Sequence, residues 1–307
     1  MEASDNTKTI AVIGLGSMGY GMAVSLRRKG FAVAGFDVRP EVTERFARES
    51  GGRAATSAQD AAKGASVVVT VVVNADQTEA LLFGPEGVAE TMTRGATILS
   101  CATMAPDRAR ALAAAAEAKG LDYVDCPISG GAQRAAEGAL TVLASGSPAA
   151  MAKVEPALGA MAANIYRLGD EPGIGAAFKM VNQLLAGVHI AAASEAIVFA
   201  KRLGLDIAKV YEVITASAGN SWMFENRMPH VLEGDYSPRS AVEIFTKDLG
   251  IISDMSRSTK FPTPVASAAL QMFLMTAAAG MGKDDDASVA RLYASVTGID
   301  LPVAKKA

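Results

Sequence analysis

One apolar stretch, residues 175–202, carries polar side chains whose types and spacing could do acid–base chemistry. Lys179 lies near its start, with Asn182 one turn further on and Gln183 four residues after the lysine, so a helix would place all three on one face. His189 follows seven residues after Asn182, on nearly the same stripe. A lysine can accept a proton near neutral pH when burial lowers its pKa. A polar stripe on an otherwise apolar helix is expected to line a wet cleft or to be paired within the core.

The element that must position these side chains is predicted to be one long helix. Ala and Leu dominate residues 175–202, apolar residues recur at helical spacing, and no Pro interrupts them. About 28 residues with a rise of about 1.5 Å each span about 40 Å, enough to run from one domain into another. The alternative interpretation is a surface Lys179 whose stem lies along the helix, with Asn182 satisfied locally.

A second chemical pattern lies between an apolar run at residues 9–13 and a helical pattern that ends at Gly30. In a G-x-G-x-x-G turn the first glycine makes the tight turn, the second lets a pyrophosphate approach the backbone, and the third lets helix and strand pack closely. The N-terminus of the helix then faces the phosphates. The sequence therefore predicts a dinucleotide-binding turn formed by Gly14, Leu15, Gly16, Ser17, Met18 and Gly19.

Asp37, which follows the second apolar run, is the expected partner of that dinucleotide. Its carboxylate would accept hydrogen bonds from a ribose hydroxyl and repel a 2′-phosphate, so NAD is expected rather than NADP. Arg39, two residues on, could receive a 2′-phosphate and keeps NADP open as an alternative. The other interpretation of Asp37 is a solvated turn residue at the end of a strand.

Strand and helix patterns alternate through the first 173 residues, whereas only helical patterns follow. The nearly continuous Val run at residues 66–73 suits a parallel strand buried on both faces. The expected fold class is α/β: a Rossmann domain with a doubly wound parallel sheet, residues 1–173, joined by the long helix to an all-α domain for substrate binding and oligomerisation, residues 174–307. The predicted strands are 9–13, 31–36, 66–73, 97–100, 121–125, 140–144 and 165–168, and the predicted C-terminal helices are 175–202, 207–217, 245–258, 264–279 and 287–297.

The composition of the chain limits the kinds of binding partner and the cellular compartment that are expected. The chain has 307 residues, half of them apolar, with a formal net charge of −3 and no basic run, which argues against a nucleic-acid partner. Cys101 and Cys126 are too few for a disulfide framework and fit a reducing compartment, and with only two His a metal site is not expected. The polar residues 1–8 lack the apolar core of a signal peptide, so the expected location is cytoplasmic.

The apolar stretch at residues 265–282 approaches the length of a membrane span. Because Gln271 interrupts it and Pro264 and Lys283 bound it, a buried helix at a subunit interface is predicted, and no membrane partner is expected. The Ala- and Met-rich helical half holds more apolar helix than about 130 residues easily bury, so a homodimer or homotetramer is expected. The acidic residues 284–286 are predicted to form a solvated loop and a helix cap.

These motifs together resemble those of the β-hydroxyacid dehydrogenases, and they cover nearly the whole chain. Four stretches carry the resemblance, in the family's order: the glycine-rich turn, residues 125–131 (Asp-Cys-Pro-Ile-Ser-Gly-Gly), the segment from Gly175 through Lys179 to Asn182, and residues 247–249 (Lys-Asp-Leu). Two positions depart from the family pattern. Residues 71–74 lack its usual Leu-Pro, and Gln183 stands where many members repeat Asn.

The resemblance implies a role for each matching residue. Lys179 would be the catalytic residue that takes the hydroxyl proton. The implied substrate contacts are Ser129, Gly130, Gly131, Asn182 and His189. The implied cofactor contacts outside the glycine-rich turn and Asp37 are Val73, Asn74, Thr103 and Lys247.

The activity that the resemblance implies is NAD-dependent oxidation of a 3-hydroxy acid or a four-carbon sugar acid. In such reactions the cofactor takes the hydride, and the protein supplies position and proton transfer. Within the family, His189 and residues 219–227 are most similar to members that act on L-threonate. L-Threonate is therefore the expected substrate, with 3-hydroxyisobutyrate and tartronate semialdehyde as alternatives.

Other proteins built on a similar scaffold are weighed against this expectation. An imine reductase would lack the lysine found at position 179, and 6-phosphogluconate dehydrogenase has a much longer helical domain. A non-catalytic dinucleotide-binding module would have lost Lys179 or the Ser-Gly-Gly loop, or would carry a basic extension. The sequence has both motifs and no basic run, which favours the dehydrogenase.

Overall fold

The computed structural model describes residues 9–304. Residues 1–8 and 305–307 lie outside the described residues, and so does the predicted lack of a signal peptide. The chain divides into two compact units, Met1–Met180 and Val181–Ala307. This division falls within one long helix, and the predicted domain boundary at residue 173 stays a prediction.

Strands and helices alternate along the first unit, as predicted. The strands are β1 (Thr9–Ile13), β2 (Ala32–Phe36), β3 (Arg53–Ala54), β4 (Val67–Thr70), β5 (Thr97–Ser100), β6 (Asp122–Asp125), β7 (Ile128–Ser129), β8 (Leu140–Ser145) and β9 (Ala162–Gly169). The helices are α1 (Gly19–Arg28), α2 (Pro40–Ser50), α3 (Ala58–Ala62), α4 (Ala75–Phe83), α5 (Pro106–Ala118), α6 (Gly131–Glu137), α7 (Pro148–Met161) and the start of α8 (Ile174–Arg202).

The described strands form one nine-stranded sheet in which parallel pairing dominates. The order is β3-β2-β1-β4-β5-β6-β8-β7, with β9 also beside β8. Strands β1 to β6 pair in parallel, whereas β8 runs antiparallel to both β6 and β7, and β9 runs parallel to β8. The α/β fold expected from the sequence is confirmed, and the antiparallel β8 is the feature that its pattern did not predict.

The sheet has an apolar core on each face because successive strand residues point to opposite sides. On β1, Ile10 and Val12 belong to one buried cluster, and Ala11 and Ile13 belong to the other. All four residues of β4 are buried, as the Val run predicted. This strand ends at Thr70, three residues before the predicted end, because residues 71–73 leave it for the loop that leads into α4.

The second unit consists of helices and connecting loops in its described residues, and its one pairing of extended backbone there is an isolated bridge between Ala241 and Asp285. After α8 come α9 (Ile207–Thr215), α10 (Trp222–Glu233), α11 (Val242–Thr259), α12 (Pro264–Thr276) and α13 (Val289–Thr297), with a wide π turn at Ala277–Met281 and a 3₁₀ turn at Asp286–Ser288. Gly187 allows α8 to approach α11 closely, since a Cβ there would lie 2.9 Å from Leu249 Cδ1.

Several elements escaped the sequence-based prediction, including β3, β7, α4, α6 and α10. Strands β3 and β7 have two residues each, too few to show an alternating pattern. Helix α10 contains Pro229, which normally interrupts a helix because it lacks an N–H. Capping compensates, since Ser221 Oγ accepts from the Phe224 N–H at 3.1 Å and Gly234 ends the helix with a φ of +68°.

The acidic residues 284–286 are not a solvated loop, so that prediction was wrong for two of the three. Asp285 and Asp286 are fully buried. Asp286 accepts from Arg227 Nε at 2.6 Å, and Asp285 pairs with His230 Nδ1 at 2.8 Å. A run of three acidic residues suggests exposure to solvent. Packing against α10 instead supplies partners that lie more than fifty residues away in the sequence. The predicted cap is present, because Asp285 Oδ1 accepts from the Ala287 N–H at 3.1 Å.

Two described helical stretches are long and apolar enough to cross a membrane by length and composition alone, Ile174–Arg202 and Pro264–Met281. Within the chain, 56% of the apolar window is buried in the first and only 22% in the second. The first is the core helix α8. Most of the second is uncovered in the single chain, and its predicted burial at a subunit interface stays a prediction.

Candidate functional site

The parallel strands of the first unit end at one edge of the sheet, and the loops there carry most of the predicted cofactor residues. Gly14 follows β1, Asp37 follows β2, Asn74 lies beyond β4, and Thr103 lies beyond β5. In open α/β sheets a ligand binds outside the carboxyl ends of the strands. The topology therefore brings these residues to one edge although they are far apart in the sequence.

The glycine-rich turn after β1 is shaped by its first and third glycines. Gly14 has a φ of +95°, and a Cβ there would lie 2.3 Å from the Val71 carbonyl oxygen. A Cβ at Gly19 would lie 1.8 Å from the Gly14 carbonyl oxygen, so a larger residue would force α1 away from the turn. A Cβ at Gly16 would meet no atom within 4 Å. The turn is therefore open on the side of its middle glycine.

The start of α1 has no side-chain cap in the described part of the chain, whereas Ser57 caps α3 and Asn74 caps α4. The first N–H groups of a helix have no partner within it and attract an anion. Ser17 is exposed and Met18 is half-buried beside this start, whereas Leu15 is buried in the core and offers only its backbone. The uncapped start and the open middle glycine fit the pyrophosphate of a dinucleotide.

Asp37 is buried, and both of its carboxylate oxygens are engaged. Oδ2 accepts from the Leu15 N–H at 2.8 Å, and Oδ1 accepts from the backbone N–H and Nε of Arg39 at 3.0 Å each. Burial acts to raise the pKa of Asp37, but the hydrogen bonds and charge of Arg39 outweigh it and lower that pKa. The carboxylate is therefore ionised at neutral pH and tied to the glycine-rich turn, while the guanidinium of Arg39 offsets part of its charge.

The residues beyond β4 have a structural role of their own. Asn74 Oδ1 accepts from the Gln77 N–H at 2.8 Å, and Gln77 Oε1 accepts from the Val73 N–H at 3.0 Å. These two bonds resemble a capping box at the start of α4, except that the Gln77 side chain returns to Val73 and not to the N-cap residue Asn74. Val73 is exposed and Thr103 is half-buried. Their roles toward the cofactor, and that of Asn74, stay predictions.

The loop after β6 holds the predicted substrate residues of the first unit. Ser129 is half-buried in β7 and pairs with Thr141 of β8. Gly130 and Gly131 have φ values of +133° and +77°, where glycine is favoured. A Cβ at Gly131 would meet no atom within 4 Å, so the loop is open at its second glycine.

Lys179 reaches this loop from α8. It is 7% exposed, and its Nζ donates to the Ile128 carbonyl oxygen at 2.9 Å. Ile128 immediately precedes Ser129. The structure thus brings the lysine to the Ser-Gly-Gly loop, and the alternative of a surface lysine is wrong.

Sequence reasoning missed the residues that hold the start of α8. Asp125 Oδ2 accepts from the N–H groups of Gly173 and Ala176 at 3.0 and 2.7 Å. Ser145 Oγ accepts from the Gly175 N–H at 2.9 Å. Burial raises the pKa of Asp125 to about 6, although the two backbone hydrogen bonds act to lower it. Asp125 is the first residue of the 125–131 motif. Its position at the end of an apolar strand, where a carboxylate is buried, is the signal that could have identified it as an anchor of α8.

The second unit joins two predicted site residues through a chain of hydrogen bonds. Asn182 Nδ2 donates to Gln183 Oε1 at 2.9 Å, and Gln183 Nε2 donates to Asp248 Oδ2 at 2.5 Å. Lys247 Nζ donates to the other oxygen of Asp248. Asp248 is buried and therefore positions both Gln183 and Lys247. Gln183, where the family often repeats Asn, is long enough to reach this carboxylate from α8.

The remaining predicted residue, His189, is half-buried on α8 and makes no hydrogen bond to any residue that the structure describes. Its role stays a prediction. Within residues 9–304, no three His, Cys, Asp or Glu side chains lie close enough together to hold a metal ion.

The two halves of the chain match two protein-family profiles. Residues 9–169 match the NAD-binding domain of 6-phosphogluconate dehydrogenase. Residues 173–293 match the family described as the NAD-binding of NADP-dependent 3-hydroxyisobutyrate dehydrogenase. Both matches confirm the nicotinamide dinucleotide cofactor that the glycine-rich turn predicted.

Individual relatives match over nearly their whole length. The L-threonate dehydrogenase of Cupriavidus necator is 50% identical over 296 residues, covering 96% of this chain and 98% of that protein. The crystal structure of 3-hydroxyisobutyrate dehydrogenase from Salmonella typhimurium is 46% identical, with a TM-score of 0.89, and covers 93% of this chain and 99% of that one. The Mycobacterium tuberculosis 3-hydroxyisobutyrate dehydrogenase solved with L-serine is 29% identical, with a TM-score of 0.82, covering 94% and 99%.

These matches agree with the motif order and with the fold. They also confirm that the chain is an enzyme, an oxidoreductase acting on CH–OH groups. The chain belongs to the β-hydroxyacid dehydrogenases, the family that includes 3-hydroxyisobutyrate and L-threonate dehydrogenases.

Proposed function

We propose that this enzyme oxidises L-threonate, a four-carbon sugar acid, to its 2-keto acid with NAD. The observation that carries the proposal is the contact of the buried Lys179 with the loop that contains Ser129, Gly130 and Gly131. It joins a proton acceptor to a loop suited to a carboxylate. The relatives named L-threonate dehydrogenase, at 43–50% identity over nearly the whole chain, support this choice of substrate.

Each residue has a defined task in the proposed reaction. Lys179 Nζ takes the proton of the substrate hydroxyl and passes it on, which a neutral lysine can do. Ser129 presents its hydroxyl to the substrate carboxylate, and the backbone at Gly130 and Gly131 presents N–H groups to it. When bound, NAD supplies the hydride acceptor. The uncapped start of α1 would hold its pyrophosphate, and Val73, Asn74, Thr103 and Lys247 would make further contacts with it.

The polar residues assigned to the substrate favour a polyhydroxy acid. Asn182 and His189 are proposed to bind its additional hydroxyl groups. A methyl-bearing acid such as 3-hydroxyisobutyrate would leave His189 without a partner and would leave the Asn182 amide with only its bond to Gln183, and an unpaired polar group that the substrate buries costs about 1–3 kcal/mol. The Salmonella structure carries the 3-hydroxyisobutyrate name, so that acid is the second candidate substrate.

NAD is proposed over NADP because Asp37 is ionised and lies at the end of β2. A 2′-phosphate beside it would be repelled, and the Arg39 guanidinium that could receive a phosphate is already paired with that carboxylate.

The enzyme is further proposed to be a cytoplasmic homodimer or homotetramer. The support for assembly is the apolar stretch Pro264–Met281, since only 22% of its apolar window is buried within the single chain. A second copy of the chain would cover that surface. Light scattering at micromolar concentration should give a dimer or a tetramer, and a monomer would contradict this part of the proposal.

The proposed activity is tested by following NAD reduction at 340 nm across a panel of three- to five-carbon hydroxy acids and sugar acids. L-Threonate should give the fastest turnover, and kcat/KM should be higher with NAD than with NADP. Absence of NAD reduction with every member of the panel would overturn the proposal.

A further inference from the structure

The N-terminus of α8 is tied to the carboxyl edge of the sheet by two side chains. Asp125, 1% exposed, ends β6, and Ser145 ends the antiparallel β8 directly opposite it. Their side chains accept hydrogen bonds from three backbone N–H groups at the start of α8, those of Gly173, Gly175 and Ala176. Ser145 Oγ also donates to Asp125 Oδ2 at 3.4 Å, which links the two acceptors. Most of the N–H groups that a helix start leaves unpaired are thereby satisfied.

The backbone at this helix start is also in close contact with the sheet. A Cβ at Gly175 would lie 2.3 Å from the Leu143 carbonyl oxygen and 3.2 Å from the Asp125 carbonyl oxygen. Only glycine permits this approach, so the hydrogen bonds act on a helix start that is already pressed against β6 and β8. A shift of the first turn would break all three bonds together.

Lys179 lies on the first two turns of that same helix, and its side-chain nitrogen is held by the same loop segment. Ala176, which donates to Asp125, is three residues before Lys179, one turn away on the same face. Lys179 Nζ donates to the carbonyl of Ile128, three residues after Asp125. Residues 125–128 therefore determine both where the backbone of Lys179 sits and where its side chain ends.

We propose that Asp125, with Ser145, is a positioning residue for Lys179: its carboxylate anchors the first turn of α8 and so sets the distance between the lysine and the Ser-Gly-Gly loop. The proposal rests on the proposed catalytic role of Lys179. Asp125 itself does not touch the reacting atoms. Its effect reaches the reaction only through the placement of the helix.

Ionisation of Asp125 strengthens this anchor. Hydrogen bonds to a carboxylate are roughly twice as strong as those to a neutral acceptor. Burial raises the pKa of this carboxyl from 3.8 to about 6, so the folded enzyme binds the proton more tightly than the unfolded chain. The charged and titratable groups that face it are Arg110 from α5, Tyr123 on the same strand, and Cys126, which follows it.

The strength of the anchor and the contribution of Asp125 to the free energy of unfolding depend on pH in opposite directions. With a raised pKa, the contribution of Asp125 to stability is fully present below pH 3.8 and is lost as the pH rises through about 6. The ionised carboxylate therefore anchors α8 most strongly in the pH range where it stabilises the fold least.

Asp125→Asn is the decisive variant, because an amide oxygen keeps the acceptor and removes the charge. At pH 8 we expect kcat for L-threonate to fall about threefold to tenfold while the unfolding midpoint rises. The wild-type plot of log kcat against pH should contain a step near pH 6 that the variant lacks. The Kd for NAD should stay within about twofold in both proteins, because the glycine-rich turn is untouched.

Two further variants and a matched control complete the test. Asp125→Ala should lower kcat about 10²-fold, the loss that a misplacement of about 1 Å can cause, and Asp125→Asn recovers most of it. Ser145→Ala removes one acceptor and should give a smaller loss, which keeps the test informative if Asp125→Ala does not fold. Asp122→Asn, on the same strand but paired with Lys153 at the surface, should leave kcat and its pH profile unchanged.

Hydrogen exchange gives a readout that does not depend on the reaction. The amides of residues 173–180 should exchange faster in Asp125→Asn and Ser145→Ala than in the wild type, and those of Lys179→Ala should not. If Lys179→Ala keeps wild-type turnover, the catalytic role fails while the exchange data still report on the anchor. Wild-type kcat, an unchanged step near pH 6 and unchanged exchange in Asp125→Asn would overturn the proposal, as would loss of NAD binding.

Discussion

The two units position their polar residues by different means. In the first unit, most of the predicted cofactor residues lie on loops that follow parallel strands, so strand order alone brings them to one edge of the sheet. In the second unit, polar residues from separate helices meet in buried pairs, such as Gln183 with Asp248 and Arg227 with Asp286. The order of the helices along the chain does not determine which of these residues are in contact.

The difference also affects how buried charge is compensated. Asp125 in the first unit and Asp286 in the second are both fully buried, and burial raises both pKa values to about 6. Asp125 is held by neutral N–H groups at a helix start, whereas Asp286 is held by the guanidinium of Arg227. Loss of the hydrogen bonds of Asp125 should therefore displace Lys179 in the first unit. Loss of Arg227 should lower the stability of the second unit.

Lys179→Ala should produce the largest effect, because it removes the group that takes the proton. We expect kcat to fall roughly 10²–10⁴-fold while NAD binding barely changes, since the proposed cofactor contacts lie elsewhere. Lys179→Arg should be nearly as damaging, because a guanidinium stays protonated. Steady-state rates and titration calorimetry on one preparation measure both quantities. Lys201→Ala, at the far end of α8, is the control, and wild-type turnover in Lys179→Ala would exclude the role.

Arg227→Ala tests the second unit, because it leaves Asp286 buried without its cation. Loss of one partner of a buried ion pair costs about 3–5 kcal/mol of unfolding free energy. The loss should be larger at pH 8 than at pH 5, because the burial-raised pKa of Asp286, about 6, leaves it neutral in acid. Trp222, the sole tryptophan of the chain, begins α10 and reports unfolding by fluorescence.

The matched control for that variant is Arg291→Ala. Arg291 pairs with Asp284 at the surface, both side chains being about 40% exposed, so its removal should cost only about 0–1 kcal/mol. Equal losses from the buried and the surface arginine would mean that the buried pair carries no special weight in this unit.

Asp248→Ala should have a smaller, functional effect, because it removes the acceptor shared by Gln183 and Lys247. We expect kcat/KM to fall about 10–100-fold, the equivalent of one or two lost hydrogen bonds at about 1–3 kcal/mol when a partner is left unpaired. Gln183→Leu should cost less, and the double variant should cost less than the sum, because the residues form one network. Additive losses would argue against a network. Asp254→Ala, on the same helix but in an exposed pair with Arg257, is the control.

Asp37→Ser should have the smallest effect of the set. Removal of the carboxylate relieves repulsion of a 2′-phosphate and loses a hydrogen-bond acceptor for the ribose, so the ratio of kcat/KM for NAD to that for NADP should fall about tenfold. Glu41→Ser, an exposed acid of α2, should leave the ratio unchanged. An unaltered ratio in Asp37→Ser would remove Asp37 from cofactor selection.

The same contrast explains what the sequence could predict. Residue types and local spacing identified Gly14 and Asp37, and the strand–helix alternation implied that they share an edge. Helical spacing placed Lys179 on α8, but its contact with Ile128 depends on how β6, β8 and α8 pack, which no local pattern contains. For that reason Asp125 and Ser145 passed unnoticed as anchors.

In the second unit the local signals were misleading. Three consecutive acidic residues suggested an exposed loop. Asp285 and Asp286 are nevertheless buried, because His230 and Arg227 on α10 pair with them. Arg239 Nη1 lies 2.7 Å from His230 Nε2, and a guanidinium only donates, so His230 accepts there and donates from Nδ1 to Asp285. Such long-range pairing is invisible to periodicity, as was α10 with its internal Pro229.

The most direct test of the proposed function is a comparison of kcat/KM for L-threonate and for 3-hydroxyisobutyrate, both with NAD, on the same preparation of the wild-type enzyme. The polar residues assigned to the substrate, Asn182 and His189, predict the higher value for L-threonate. A difference of about tenfold or more is expected, since about 1.4 kcal/mol separates the two when one polar group is left unpaired. A higher kcat/KM for 3-hydroxyisobutyrate would contradict the account.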